Sequence, residues 1–310
     1  MLKQKKKRQH YVWRHYLRQW SIEEQIYCLM NGKIFKSNIM NVAQEKYFYK
    51  LKQLNTDEIN FLKTMIEIDN RPLMKKLNYG WIEIFNKLFE LKTLLNNKGI
   101  STLELENLFD VAICNFEEEL HTQIEPIGDD FLKSLYNKDI SFYQDESQTM
   151  SFFIFICQQY FRTKKMSVNI KNALLGFDKF NIDAMWSILR HILATQLGFS
   201  LYQDRNKYHL ILLENTSPFP FITGDQPIIN TYAVGLKLEE EVEELELYYP
   251  LTPNLALLIS EKDEYSSSTV LSVSEYEVIE YNKWIYNESN SQIYASNKDI
   301  LEKLLSSIQN

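Results

Sequence analysis

Glycine is scarce in this chain, 8 in 310 residues, and the gap is informative. There is no GxxxxGK[ST] and no GxGxxG, so the glycine-rich loops that cradle nucleotide phosphates are missing. HExxH, GxSxG and C2H2 spacing are also absent, which removes the support for zinc-protease, hydrolase-elbow and zinc-finger readings. No acidic element stands out in a context suited to a carboxylate metal site, and neither metal nor cofactor is expected. The 3 cysteines, Cys28, Cys114 and Cys157, lie in apolar surroundings without CxxC spacing, so they read as reduced core residues. Long apolar runs are lacking too. The longest, residues 150–157, contains Ser151 and falls far short of the ~20 residues that span a bilayer, so no membrane partner is expected. The basic start is not followed by an apolar stretch with a small-residue cleavage site, and a cytoplasmic location is the expectation.

What is present suffices for a large core: 45% of residues are hydrophobic and 14% aromatic. The net charge of −7 hides an asymmetry. Lys3, Lys5, Lys6, Lys7, Arg8, Arg14 and Arg18 fall within the first twenty residues without one acid, so the rest of the chain is twice as acidic as the total suggests. A basic head can meet phosphates, extend as a solvated tail, or dock on an acidic surface of the same protein. Glu239, Glu240, Glu241, Glu243, Glu244 and Glu246 offer such a surface and read as an exposed loop or ribbon.

Along the chain, residues 10–20 (HYVWRHYLRQW) suggest a helix with His10 and Arg14 on one face at i, i+4. Asn31-Gly32 between two apolar runs is the strongest hairpin signal; a short helix with a Ser21/Glu24 capping box is the competing reading. From about 41 to 200 the pattern is helical, with helix starts near Thr56, Ser101, Asp145 and Asn181. Residues 150–162 are apolar on nearly every side, which predicts a buried helix ending in Gln159 and Arg162. A buried arginine needs an anion, either a structural carboxylate such as Glu117, Glu118 or Glu119, or a ligand phosphate. The last third, 201–310, changes to short apolar runs at 208–213, 219–223, 245–250 and 256–260, read as strands of one mainly antiparallel sheet. Ser274 and Glu277 open a helix to about 288 with Asn282 in its middle; a closing strand at 292–296 and a helix capped by Asn297 follow. The expected fold is α+β: a basic head and hairpin (1–40), a helical body (41–200) and a sheet-rich part (201–310), with no flexible linker and a shared core.

Residues 219–230 (FPFITGDQPIIN) read as a strand ending in a tight turn that holds Asp225 at a strand end. Acids placed there often face a cleft, and a plain Asx turn before Pro227 is the alternative. Taken in order, HYVWRHYL, QYFRT at 159–163, FITGDQPI at 221–228, YPLTPNLALLI at 249–259 and the Asn282 helix followed by IYAS resemble the domain of unknown function family 4238, over almost the whole chain. That family opens with HYVPxxYL and carries FITSDNPV, so this chain departs from it at Trp13, Gly224 and Gln226. The resemblance implies no known reaction.

Polar residues spread from 10 to 282 must pair with one another or with a ligand, since an unmet buried polar group costs about 1–3 kcal/mol. One reading is a metal-independent nuclease or nucleotide-phosphate enzyme, in its most concrete form a defence or toxin-type effector acting on RNA. His10 would be general acid/base, Asp225 would orient it, and Arg14, Gln159, Arg162 and Asn282 would hold ligand or phosphate. The second reading is a non-catalytic binding or sensor protein, paired with the product of a neighbouring gene, in which the same residues form an internal network. A third makes the basic head a nucleic-acid contact.

Overall fold

The computed structural model of the chain describes residues 4–174, 179–237, 240–242 and 244–309. Lys3 of the basic head and Glu239 and Glu243 of the acidic run lie outside these residues. The chain opens with strand β1 (Arg8–His10) and one helical turn, α1 (Arg14–Leu17). The hairpin follows as β2 (Gln25–Met30) and β3 (Lys33–Asn38). Its turn residues have φ 51° at Asn31 and 72° at Gly32, the two positive values that a type I′ turn requires. Strand β4 (Gln44–Lys46) then pairs antiparallel with β1, placing Arg8 opposite Lys46 and His10 opposite Gln44. The expected helix over residues 10–20 is corrected here: His10 is a ladder residue, Tyr11 N–H donates to the Ala43 carbonyl (3.0 Å), and helical geometry starts only at Arg14.

The helical body comprises α2 (Thr56–Glu67), α3 (Pro72–Asn97), α4 (Leu103–Tyr136), α5 (Glu146–Phe161), α6 (Lys164–Ala173) and α7 (Ile182–Gln203). Their starts follow capping chemistry: Asn55 and Glu58 form a reciprocal capping box, and Asp145 and Asn181 accept backbone N–H groups of α5 and α7. The cap of α4 is Thr102, not the expected Ser101, whose hydroxyl donates to Glu106 instead. Helices α5 and α7 pack closely, and Phe152, Phe153 and Phe155 are buried, as the all-round apolar pattern requires. Gly128 of α4 is what lets Phe155 in: a Cβ there would lie 2.0 Å from the ring.

The final third contains β5 (His209–Asn215), β6 (Thr223–Gly224), β7 (Ile229–Asn230), β8 (Leu247–Thr252), β9 (Leu255–Ser260), β10 (Val270–Val273), α8 (Glu275–Glu288), β11 (Ile293–Ala295) and α9 (Lys298–Gln309). Its strands do not form one sheet. Five make the order β10-β5-β9-β8-β7, with β10 parallel to β5, while β11 and β6 extend the N-terminal hairpin as β3-β2-β11-β6. The strand expected over 219–223 is also corrected. Pro220 has no N–H, Phe221 N–H donates to the Pro253 carbonyl and Ile222 N–H to Asn282 Oδ1, so only Thr223 and Gly224 join a ladder.

Both faces of the larger sheet are covered. In β9, Leu255, Leu257 and Ile259 join the core shared with the helices, whereas Ala256 and Leu258 join a second core with α8 and α9. That explains why these strands read as continuous apolar runs. Glu246, expected on an exposed ribbon, is buried and accepts from the Ser260 and Thr231 hydroxyls. No helix among the described residues is long and apolar enough to cross a membrane. The approach of α4 to α5 gives a direct test: Gly128→Ala should lower stability by about 1–3 kcal/mol in urea denaturation through overpacking against Phe155, and Phe155→Leu in the same chain should recover part of the loss.

Candidate functional site

Three of the polar residues singled out in the sequence are used within the fold. Asp225 is fully buried and gathers the loop between α8 and β11. Its Oδ1 accepts from Asn290 N–H (2.7 Å), and its Oδ2 from Ser291 N–H (3.1 Å), Ser291 Oγ (3.1 Å) and Gln292 N–H (3.2 Å). Asn282 is equally buried and clamps the non-ladder segment, accepting from Ile222 N–H and donating to the Pro220 carbonyl at 2.9 Å each. Gln159 accepts from Arg162 Nη1 at 3.3 Å. The expected convergence of His10, Arg14, Arg162 and Asp225 is thus corrected: Asp225 does not orient His10, because its acceptor sites serve a loop of its own sheet. Its link to the N-terminal segment is indirect, through Gln292 and the Tyr11 hydroxyl (3.3 Å).

His10, Arg14 and Arg162 do come together. They line a cleft of about 550 Å³ between the N-terminal segment and α4, with Trp13, His15 and Arg18 on one side and Glu118, Thr122, Glu125, Pro126 and Asp129 on the other. Pro126 inside α4 has no N–H to give the Thr122 carbonyl, which loosens the helical ladder at the cleft. Arg162, buried at the end of α5, donates Nε to Tyr49 Oη (3.1 Å), Nη1 to Glu125 Oε1 (3.3 Å) and Nη2 to the His10 carbonyl (3.0 Å). Its carboxylate partner is Glu125, not one of Glu117 to Glu119 as the sequence suggested.

The electrostatics of the cleft are uneven. Burial, then the guanidiniums of Arg14 and Arg162, hold the His10 imidazole below its ordinary value of 6.5, against the raising effect of the Met40 and Ile39 carbonyls. Its Nε2 is buried and has no hydrogen-bond partner among the described residues. Burial pushes Glu118 above the usual carboxylate value although Arg162 and Lys6 oppose this. Asp129 lies 2.8 Å from His15 Nε2 and 2.6 Å from Lys133 Nζ. The Arg14 guanidinium donates to the Met40 sulfur, and no ion pair holds it among the described residues. Arg14 is therefore the cation in the cleft most able to take an anionic ligand.

Behind Arg162 lies a polar group the sequence reading missed. Glu117 and His121 of α4 meet Arg190 and His191 of α7, all buried; Glu117 pairs with Arg190 and lies 3.1 Å from His191 Nε2. The Arg190 guanidinium stands over the Tyr49 ring at 4.6 Å, and Trp81 stacks on His191 at 4.6 Å. Burial, with Arg162 and His191 close by, holds His121 well below 6.5, so it is neutral at pH 7. The available signal was the Glu117/His121 pair at i, i+4 within an amphipathic helix, facing an Arg-His dipeptide inside an otherwise apolar one. Among the described residues no group of three or more His, Cys, Asp or Glu is placed to hold a metal ion.

A family model described as "Protein of unknown function (DUF4238)" matches residues 8–299, which include every residue of the cleft and of the clamps. The chain belongs to the DUF4238 family. No curated protein and no solved structure matches it. The three positions set apart in the sequence, Gly224, Gln226 and Trp13, have distinct surroundings. At Gly224 a Cβ would lie 1.9 Å from Ser289 Oγ, so the serine of the helix end occupies the space. Gln226 is buried, accepts from the Thr163 hydroxyl and donates to the Ile228 carbonyl (2.7 Å), tying this turn to the start of α6. Trp13 lines the cleft and packs edge-on against Phe155.

Two expectations follow for stability. Asp225→Asn should lower the melting temperature, because an amide nitrogen cannot accept; each backbone donor left unpaired costs about 1–3 kcal/mol. An unchanged melting temperature would contradict the clamp. The second concerns pH. His10 and His121 titrate below 6.5 when folded and near 6.5 when unfolded, so the unfolded chain binds more protons as pH falls. Their contribution to stability is full above the ordinary value and is lost as pH drops through it towards the folded values. The melting temperature should fall from about pH 7 to about pH 5, and His121→Gln should flatten that slope.

Proposed function

We propose that the cleft between the N-terminal segment and α4 is a metal-independent site acting on a phosphate ester, carried by a nucleotide or an RNA strand. One observation carries this: His10, with an unpartnered Nε2, shares the cleft with the unpaired Arg14 guanidinium and with the Glu118 carboxyl, whose proton affinity burial raises. Neutral His10 takes the proton of an attacking hydroxyl as the new O–P bond forms. Arg14 holds the non-bridging oxygens, and Glu118, in its protonated form, gives its proton to the leaving oxygen as the old O–P bond breaks. Arg162, bound to the His10 carbonyl, positions β1 and adds positive potential. An effector directed at nucleic acid, of the defence or toxin kind, is the most concrete form of this activity.

A second reading, a binding or sensor protein whose polar residues form a structural network, is favoured by the clamps that occupy Asp225 and Asn282. The two separate at His10. With RNA and mononucleotides as substrates, His10→Ala should reduce turnover by about 10²–10⁴-fold while the melting temperature stays near wild type. Activity should rise with pH past the lowered value of His10 and fall past the raised value of Glu118, and Glu118→Gln should remove the falling limb. Inactive wild-type protein together with a destabilised His10→Ala variant would leave the network reading standing.

A further inference from the structure

A second cleft, of about 470 Å³, opens beside the β1–β4 ribbon and α6, and its lining differs in kind from the first. Lys50, Lys52, Lys164 and Lys171 contribute four ammonium groups, and Tyr47, Phe48 and Trp186 contribute three aromatic rings. Two of the lysines are already paired, Lys164 with Glu45 (2.6 Å) and Lys171 with Asp183 (2.9 Å). Lys50 and Lys52 are exposed and form no ion pair among the described residues. Trp186 supplies an independent observation: its side chain is buried, 5% exposed, and its indole N–H has no acceptor among the described residues. A buried indole normally finds such a partner. Tyr47 and Phe48 are half-buried, and Tyr47 sits at φ 56°, a left-handed conformation that costs a non-glycine residue on the order of 1 kcal/mol.

We infer that this cleft binds a stretch of single-stranded nucleic acid, with phosphates on Lys50 and Lys52, a base or phosphate oxygen accepting from Trp186, and a base against Tyr47, which Phe48 backs from the core. Cations set beside aromatic rings suit a single strand, whose bases are free to stack, whereas a duplex presents only its phosphates. The two clefts are neighbours along the chain. His10 of β1 lines the first and Glu45 of β4 the second; Arg162 and Lys164, at the α5–α6 junction, divide in the same way. The exposed Lys7, Arg8 and Lys46 lie on the ribbon itself, where Lys7 accepts Tyr47 N–H through its carbonyl and Arg8 stands opposite Lys46. In a chain of net charge −7 such a grouping is a local reversal of sign. The inference rests on the phosphate-ester reading of the His10 cleft only in making the strand its substrate; binding stands or falls separately.

The test is equilibrium binding of a labelled single-stranded RNA of about ten nucleotides to the full chain across a salt series, with a duplex DNA of equal length and anionic phospholipid vesicles as comparisons. Wild type should bind the single strand more tightly than the duplex or the vesicles. Lys50→Gln with Lys52→Gln should weaken binding about tenfold at moderate salt and reduce the slope of log affinity against log salt by about 1.4, the value for two lost contacts. Trp186→Phe should weaken binding without altering that slope. Both lysines are exposed, so the melting temperature of the double variant should match wild type. Absence of binding at low salt, duplex or vesicle binding as tight as that of the strand, or an unchanged slope in the lysine variant would each overturn the inference. Strand binding with these dependences but no turnover would uphold this surface and reject the catalytic reading; mononucleotide turnover without strand binding would do the reverse.

Discussion

Much of the N-terminal architecture depends on burying one guanidinium. Removing Arg162 from water costs several kcal/mol unless its donors are met, and the partners that meet them come from four parts of the chain: the His10 carbonyl of β1, the Tyr49 hydroxyl after β4, Glu125 of α4 and Gln159 one turn earlier in α5. Tyr49 and Glu125 together outweigh the burial, so the group is held above its ordinary value and stays charged. The same constraint fixes β1 by its backbone. His10 is thus positioned through its carbonyl, while its ring lines the cleft.

The rest of the N-terminal segment is seated by hydroxyl and indole donors. Tyr16 Oη lies 2.7 Å from both Thr223 Oγ1 and the Pro250 carbonyl, and Trp20 Nε1 donates to the Phe221 carbonyl at 3.0 Å. Gln9 reaches the Cys114 carbonyl of α4 and receives Tyr49 N–H, both at 2.7 Å. The basic head is therefore not a solvated tail from residue 4 onward, since Lys6 N–H and the Gln4 carbonyl are both held by Asn115. Its charge is carried on an ordered ribbon, which gives it a direction.

What could be read in the sequence was local chemistry. Asn31-Gly32, the Asn55, Asp145, Asn181 and Ser274 caps and the all-round apolar α5 depend on neighbours a few residues away, and each forms as its residues dictate. What could not be read was decided by distant partners. Strand β1 has three residues, and its own periodicity favours helix; only pairing with β4 makes it extended. β10 is created by a parallel neighbour in β5, and the division into two sheets follows from where β11 inserts. The site shows the same split. Arg162 was legible because a charge in an apolar helix must be answered. Asp225 was misjudged because a strand-end acid looks alike whether it faces a cleft or a loop 65 residues away. The Arg190 and His191 pair was hidden in a helix whose pattern otherwise reads as pure core.

The polar residues spread along the family pattern therefore need not share one purpose, and hydrogen-bonding capacity sorts them. Asp225 receives four donors, Asn282 closes on both sides of its amide, Gln226 is tied at both ends, and three nitrogens of Arg162 are engaged. Groups so fully engaged stabilise the fold and have little left with which to recognise a ligand. Capacity in reserve that borders a cleft is found at the Nε2 of His10 and the guanidinium of Arg14 in one, and at the indole of Trp186 and the ammonium groups of Lys50 and Lys52 in the other. Both sets border the ribbon made by the basic head and β4. On the reading proposed above, a phosphate ester would answer both sets, its hydroxyl meeting His10 and its charged oxygens meeting the cations and the indole N–H.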